Sequence, residues 1–531
     1  MSTEHVLIDG NWRAANSNDS FHAFDPSCGE PLPEQYPVSG WADCDEALDS
    51  AVVAFDALQR MPREQIAKFL ETFANRLEDS AQEICKMAHR ETALPVEPRL
   101  ASGELPRTCG QLRQAAEACR TSSWSHPVID TATNIRSCLA AIGPVAVFGP
   151  NNFPLAFGSI SGGDFAAAIA AGNPVIAKAN SMHPGTTQLL AREAKLAADQ
   201  TGLPAATVQL IYRLDHKDGE RLAQDPRLAA IGYTGARAAG LKLKAAADSV
   251  GKPIYLELSS VNPTVVLPGA LAERSAAIAD EFTGSCLMGT GQFCTNPGLV
   301  ILCRGPQTDT FIGTVVAKFE AAPVGTLFSG SGQNGLAAAV ETLVAAGAEI
   351  LCGGQPGGGQ GFSYANSLLK VSGDQFLADP ERLQTEAFGN ASLLVVVDSV
   401  EQAVQIVGQL EGNLTGCVYS DTQGSDDDAY DRIVPILRQR VGRLLNDTMP
   451  TGVAVCAAMN HGGPFPATGH PGFTAVGIPA AITRFAMLQC YDNVRPHRLP
   501  DLLQDENPDH VWRRVDGCWT QAGIESELTT V

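Results

Sequence analysis

Gly143-Pro144-Val145-Ala146-Val147-Phe148-Gly149-Pro150-Asn151-Asn152-Phe153-Pro154 is the stretch whose reading decides the fold. A four-residue apolar run closed on both sides by Gly-Pro reads as a strand buried on both faces and ended sharply. The pattern recurs at Val175–Lys178, Val208–Tyr212, Ala229–Tyr233 and Pro253–Leu258, with helix-length segments between the runs. Strands alternating with helices predict βαβ units and a parallel sheet, hence an α/β fold. Such sheets bind ligands beyond the carboxyl ends of their strands, where both Asn152 and Glu257 fall. The G-x-G-x-x-G fingerprint found in many dinucleotide-binding sheets is absent.

Upstream, Asp9-Gly10 is a hairpin signal, and the prolines at 26, 31, 33 and 37 forbid a helix before about residue 38. Two apolar stripes of helical period follow, Ala47 to Leu58 and Ile66 to Met87, and a third helix is expected over about 102–122. Downstream, Asn262-Pro263-Thr264-Val265-Val266-Leu267 opens a second α/β unit over 261–446. Its helix 271–288 leads into Gly289-Thr290-Gly291-Gln292-Phe293-Cys294 and the strand-like run Leu299 to Leu302. The glycine-rich patch Gly353 to Gly361 is read as a loop, since no Lys or Ser/Thr follows at phosphate-loop spacing. Residues 501–531 are polar and poorly patterned, and are expected to form a surface extension.

With 531 residues, 44% of them hydrophobic, the chain can bury a large core in two or three domains. Its formal charge of −21 argues against a nucleic-acid partner, because phosphate affinity comes from clustered Lys and Arg. The start carries neither a basic segment nor an apolar core of the secretory kind, and no later run approaches about 18 apolar residues. A cytoplasmic protein without a membrane partner is expected. The 14 cysteines are scattered, with no C-x-x-C pair and no four-ligand Cys/His cluster, so neither a disulfide framework nor a metal site is expected.

Most free cysteines are packing residues, so the case for Cys294 rests on what accompanies it. It is expected near a helix end among glycines, where a thiolate can be stabilised and reached. Three more stretches stand in order around it: the loop from Gly149 to Pro154, Tyr255-Leu256-Glu257-Leu258-Ser259-Ser260, and Glu386-Ala387-Phe388-Gly389. In order and spacing these resemble the signatures of the aldehyde dehydrogenase superfamily. The resemblance runs from Ile8-Asp9-Gly10-Asn11-Trp12 to His461-Gly462-Gly463-Pro464-Phe465-Pro466-Ala467-Thr468. Gly162-Gly163-Asp164 and Pro450-Thr451-Gly452-Val453 make it closest to the NADP-preferring branch with α-ketoglutaric semialdehyde (2,5-dioxovalerate) and fatty-aldehyde dehydrogenases.

The resemblance implies a Rossmann-type cofactor domain (1–127 and 142–260), an α/β catalytic domain (261–446) and a small β oligomerisation arm (128–141 and 475–500), hence a homodimer or homotetramer. It implies Cys294 as nucleophile, the Asn152 amide and the Cys294 N–H as donors to the oxyanion, and Glu257 as the base that activates water. For the cofactor, NADP with NAD as an alternative, it points to Pro150, Asn151, Lys178, Ser181, Arg213, Gly235, Gly240, Glu386 and Phe388. Ser181 stands where NAD-preferring relatives often carry a glutamate, so a 2′-phosphate is not repelled. Two departures stand out: Ala236 in place of a serine weakens the pyrophosphate turn, and Asn390 in place of a proline loosens the loop after Phe388-Gly389.

Phe153, Phe157, Phe293 and Phe465 are expected to line the substrate pocket. The segment after Pro154 carries no Arg, so a carboxylate-bearing aldehyde must find its counter-charge elsewhere. The expected reaction is oxidation of α-ketoglutaric semialdehyde to 2-oxoglutarate. A fatty or aromatic aldehyde is the alternative, and an inactive binding or structural homologue is the alternative of another class.

Overall fold

The computed structural model describes residues 3–524. All five apolar runs are strands of one seven-stranded sheet, in the order Ile254–Glu257, Ala230–Thr234, Val145–Phe148, Val175–Lys178, Val208–Ile211, Val6–Ile8, Asn11–Arg13. The first five are parallel, and the N-terminal hairpin adds an antiparallel edge. Val145–Phe148 lies between strands reached in opposite directions along the chain. The crevice where such a sheet reverses its winding therefore opens at the carboxyl end of this strand, at Gly149 to Asn152.

A second seven-stranded sheet runs Glu349–Cys352, Ser367–Ser372, Ala391–Val397, Leu299–Cys303, Thr264–Val266, Asn413–Tyr419, Val441–Asn446. It is parallel except at Glu349–Cys352. Two of its inner strands, Leu299–Cys303 and Ala391–Val397, are buried along their whole length and apolar except at Ser392, because both faces are covered. The helical stripes form, with one change: the second is two helices, Arg63–Asp79 and Ala81–Thr92, parted at Ser80. The third helix is Leu105–Thr121, entered through the wound segment Val96–Glu104. Among the described residues no helix is long and apolar enough to cross a membrane.

A third sheet corrects the reading of the tail. Ala486–Asp492, Ile135–Ala141 and Val128–Asp130 pair antiparallel, and Arg513–Val515 then adds in parallel to Val128–Asp130, followed by Cys518–Thr520. Residues 501–524 are thus a woven part of this sheet rather than an extension; 525–531 lie outside the described residues. The anchor is Arg513, fully buried, whose guanidinium donates to the carbonyls of Gln504, Asp505 and Ala522.

Candidate active site

The turn that carries Cys294 is built by backbone conformation. After the helix Pro268–Leu287, three successive residues, Gly289, Thr290 and Gly291, take left-handed φ of 54°, 59° and 67°. At Gly291 a Cβ would lie 2.0 Å from the Gly389 carbonyl oxygen, so only glycine lets this turn pass under the 386–390 loop. Asn262 Nδ2 then donates to the carbonyls of Cys294 and Asn296 at 2.9 and 2.8 Å, holding the turn against the second sheet. The helix end nearest Cys294 is a carboxyl terminus, whose partial negative charge does not favour a thiolate, which corrects the expected source of stabilisation.

That source is His461. Cys294 Sγ lies 3.4 Å from His461 Nε2, and the same nitrogen lies 2.9 Å from Glu257 Oε1. The tail brings the histidine here by pairing with the strand that ends in Glu257: Leu258 donates to the Ala467 carbonyl and Gly469 to that of Leu256. The His461 and Glu257 side chains are 1% and 6% exposed. Burial pushes the Cys294 thiol up, and His461, and more weakly Arg107, only partly offset it. Burial also disfavours the His461 imidazolium, but attraction from Glu257 and then Cys294 outweighs it and raises the group to about 10. The second Glu257 oxygen, Oε2, is buried without a hydrogen-bond partner among the described residues.

Asn152 is set by two contacts. Its Nδ2 donates to the Gln292 carbonyl at 3.1 Å, and its own carbonyl accepts from Arg99 Nη2 at 3.2 Å. Arg99 is paired with the buried Glu104 at 2.6 Å, and Glu104 also accepts the N–H groups of Leu155 and Ala156 at 2.8 and 2.9 Å. One carboxylate thus fixes both the loop after the first strand and the arginine under it. The Cys294 N–H has no acceptor among the described residues, so it remains free to donate to a substrate oxygen.

Two cavities meet at Cys294. The first, about 640 Å³, is lined by Pro150, Asn151, Asn152, Gly235, Glu257, Glu386 and Phe388. The second, about 520 Å³, is lined by Arg99, Arg107, Phe153, Phe157, Phe293 and His461. Its three phenylalanines pack edge to face, Phe153 with Phe157 at 5.4 Å and with Phe293 at 5.2 Å. Arg107 lies over Phe157 at 5.3 Å and donates Nη1 to the Val453 carbonyl, while its Nε and Nη2 are buried without partners among the described residues. In the wall of the first cavity, burial raises the Glu386 carboxyl to about 8 against the Ser260 N–H and Arg237.

Other expected residues lie apart. Ser181 and Arg213 line a third cavity of about 550 Å³ with Phe21 and Phe328. Lys178 ends its strand nearby, and burial followed by the Arg213 charge lowers it to about 8, with no acidic group raising it back. Gly240 lines none of these cavities; a Cβ there would meet Leu258 at 2.6 Å, so it serves close packing of helix Arg237–Asp248 on the sheet. Phe465 is 54% exposed beside the Arg237 guanidinium, outside the cavity that the other three phenylalanines line. Asn390 does not loosen its loop: it is fully buried and donates to Tyr364 O and Asn366 Oδ1 at 2.7 and 2.8 Å. His461, Arg99 and Arg107 had no role in the sequence reading. Only the motif beginning at His461 carried a signal.

A cysteine sulfur in the wall of two cavities, one of them lined by aromatic rings, has an amide and a carboxylate beside it. The profile described as the aldehyde dehydrogenase family matches residues 12–437, and the chain belongs to that family. It is an oxidoreductase acting on aldehydes. It is 38% identical to α-ketoglutaric semialdehyde dehydrogenase 2 of Azospirillum brasilense, over 97% of this chain and 99% of that one. It is 35% identical to the α-ketoglutaric semialdehyde dehydrogenase of Acinetobacter baylyi, over 97% and 98%. Among solved structures, an aldehyde dehydrogenase C mutant of Pseudomonas syringae, complexed with NAD+ and octanal, superposes with a TM-score of 0.80 at 20% identity, covering 94% of this chain and 98% of that one.

Proposed function

We propose that this enzyme oxidises α-ketoglutaric semialdehyde to 2-oxoglutarate with NADP as hydride acceptor. The observation that carries the reading is Cys294 in the wall common to two cavities, Glu257 facing one and Arg107 the other. The substrate is a short chain with an aldehyde at one end and a 2-oxo acid at the other. Its carboxylate needs a buried cation, and Arg107 offers donors that cost about 1–3 kcal/mol each while unpaired. This is the counter-charge that the segment after Pro154 lacks, and the relatives named for that substrate support the same choice.

Cys294 attacks the aldehyde carbon as the thiolate, its proton released to solvent and its charge offset by the His461 imidazolium that Glu257 holds protonated. The Asn152 amide and the Cys294 N–H receive the thiohemiacetal oxygen. NADP held along the first cavity would supply the hydride acceptor that takes the thiohemiacetal on Cys294 to a thioester. Glu257, whose Oε2 has no partner among the described residues, takes a proton from water, and the hydroxide displaces the sulfur to give the acid.

The first cavity fits the cofactor. Pro150, Asn151, Gly235, Glu386 and Phe388 line it, and a Cβ at Gly235 would meet Tyr233 Oη at 2.9 Å, which keeps that backbone bare. Lys178 and Arg213, with Ser181 in place of an acid, supply positive charge for a 2′-phosphate. Among the described residues the strand Ala486–Asp492 has a neighbour on one side only, and it exposes Met487 and Leu488, which supports assembly as a homodimer or homotetramer. A nucleophile that must stay reduced suits the cytoplasm. The three phenylalanines favour a second reading, an uncharged fatty or aromatic aldehyde. NADPH formation with α-ketoglutaric semialdehyde, pentanal and benzaldehyde, for wild type and Cys294→Ala, tests both readings. Equal rates from the two proteins would defeat the thioester route, and preference for pentanal would favour the second substrate class.

A further inference from the structure

We propose that Cys294, His461 and Glu257 form a site for a zinc-class divalent ion, which reversibly locks the enzyme by occupying its nucleophile. The sulfur, Nε2 and carboxylate oxygen all lie within 4.8 Å of one another. Tetrahedral zinc, with bonds of about 2.0–2.3 Å, spaces its ligand atoms roughly 3.3–3.6 Å apart. The two contacts here, 3.4 Å for sulfur to nitrogen and 2.9 Å for nitrogen to oxygen, need only a few tenths of an ångström of widening.

Both contacts converge on one atom, His461 Nε2, so the ion takes the place of the two protons that the imidazole and the thiol now hold there. The imidazolium proton and the thiol proton leave to solvent as the ion enters. No electron moves, and a chelator reverses the exchange. Charge also closes: a thiolate and a carboxylate neutralise a divalent ion, so the buried site carries no net charge.

Glu257 Oε2, buried without a partner among the described residues, is an independent mark of unused ligand capacity at the same spot. The donor set selects the metal. Sulfur with imidazole favours zinc and its neighbours over magnesium or calcium, which take oxygen ligands. Three protein ligands leave a fourth position open toward the two cavities that share Cys294, so water can complete the shell. The lock tightens as pH rises, because the ion competes with protons.

The test is titration of the full-length protein with Co2+, reading the thiolate-to-cobalt charge-transfer band as the difference between wild type and Cys294→Ser. The difference spectrum removes binding at other thiols. The site predicts one equivalent bound, affinity lowered more than about 100-fold by His461→Gln, and displacement by Zn2+. No difference band, or an equal band in His461→Gln, overturns it. A second measurement needs no variant: stoichiometric Zn2+ should protect Cys294 from iodoacetamide until EDTA is added, and unchanged alkylation overturns the site. An active enzyme without the band removes only the metal site, whereas a full band in a protein that oxidises no aldehyde removes only the proposed reaction.

Discussion

Cys294 and Glu257 meet through a single atom: the His461 nitrogen that lies 3.4 Å from the sulfur lies 2.9 Å from the carboxylate. The thiol and the imidazolium both hold their protons more tightly than ordinary Cys and His, so the two titrate as a coupled pair. Raising the pH from neutral toward about 10 should therefore raise the rate at which iodoacetamide alkylates Cys294. His461→Gln deletes the positive charge that lowers the thiol, so the climb should move to still higher pH. Turnover near neutrality should fall roughly 10²- to 10⁴-fold, the usual contribution of a positioned acid or base. An alkylation profile unmoved by the substitution would leave His461 a packing residue.

Glu257→Gln separates the two halves of the reaction. Formation of the thioester needs Cys294 and the oxyanion donors, whereas its hydrolysis needs a base facing water, and Glu257 Oε2 is the unpartnered oxygen available. A stopped-flow trace should show one equivalent of NADPH released at close to the wild-type rate, followed by a steady state slowed about 10²- to 10⁴-fold. Trapped acyl-enzyme should be detectable by mass. A trace with no burst and full steady-state turnover rules out Glu257 as the base.

Affinity for NADP should depend on pH through Lys178. Burial first and the Arg213 charge second lower its ammonium to about 8, so the free enzyme loses this charge as pH rises through 8. A phosphate binds the charged form, so the KM for NADP should rise above pH 8, by at most about tenfold per pH unit for one proton. The KM for NAD should stay flat. Lys178→Arg should hold the charge and level the NADP profile; parallel profiles for the two cofactors would remove Lys178 from the phosphate.

Much of the fold was legible because strands buried on both faces are written as uninterrupted apolar runs, as at Val145–Phe148 and Leu299–Cys303. Cys294, Glu257 and Asn152 could be singled out because each closes or precedes such a run within a recognisable motif. His461 could not be assigned a role: it lies 167 residues from Cys294 and 204 from Glu257, and no local period reports a contact made by backfolding of the tail. Arg107 falls within the helix expected over about 102–122 and Arg99 just before it, and nothing local reveals which face turns toward a cavity. The tail misled for a different reason. Its strands are three residues long and depend on a buried arginine rather than on apolar pattern.

Arg107→Leu should separate substrates by charge. Losing a charge-assisted contact to the distal carboxylate removes about 1.5–3 kcal/mol, a drop of roughly 10- to 150-fold in kcat/KM for α-ketoglutaric semialdehyde. Pentanal, similar in length but uncharged, should react as well as before or better, because a buried cation no longer faces its alkyl end. Equal losses for both substrates would mean that Arg107 supports the Phe153 and Phe157 wall rather than reading the carboxylate.

Arg513→Ala tests whether the tail is structural. Its guanidinium satisfies the carbonyls of Gln504, Asp505 and Ala522 in a fully buried setting, and each acceptor left unmet costs about 1–3 kcal/mol. That sum exceeds what strands of three residues can regain by pairing, so the segment from 499 onward should detach while the two large sheets stay folded. Limited proteolysis should cut first near residues 500–512, and Arg513→Lys should give only partial rescue, since one ammonium cannot reproduce the planar fork. Because Arg513–Val515 lies beside Val128–Asp130 in the same sheet as the edge strand Ala486–Asp492, the variant should also make the proposed oligomer dissociate at a higher protein concentration on dilution. Unaltered proteolysis and assembly would make the arginine dispensable and the parallel pairing at Val128 incidental.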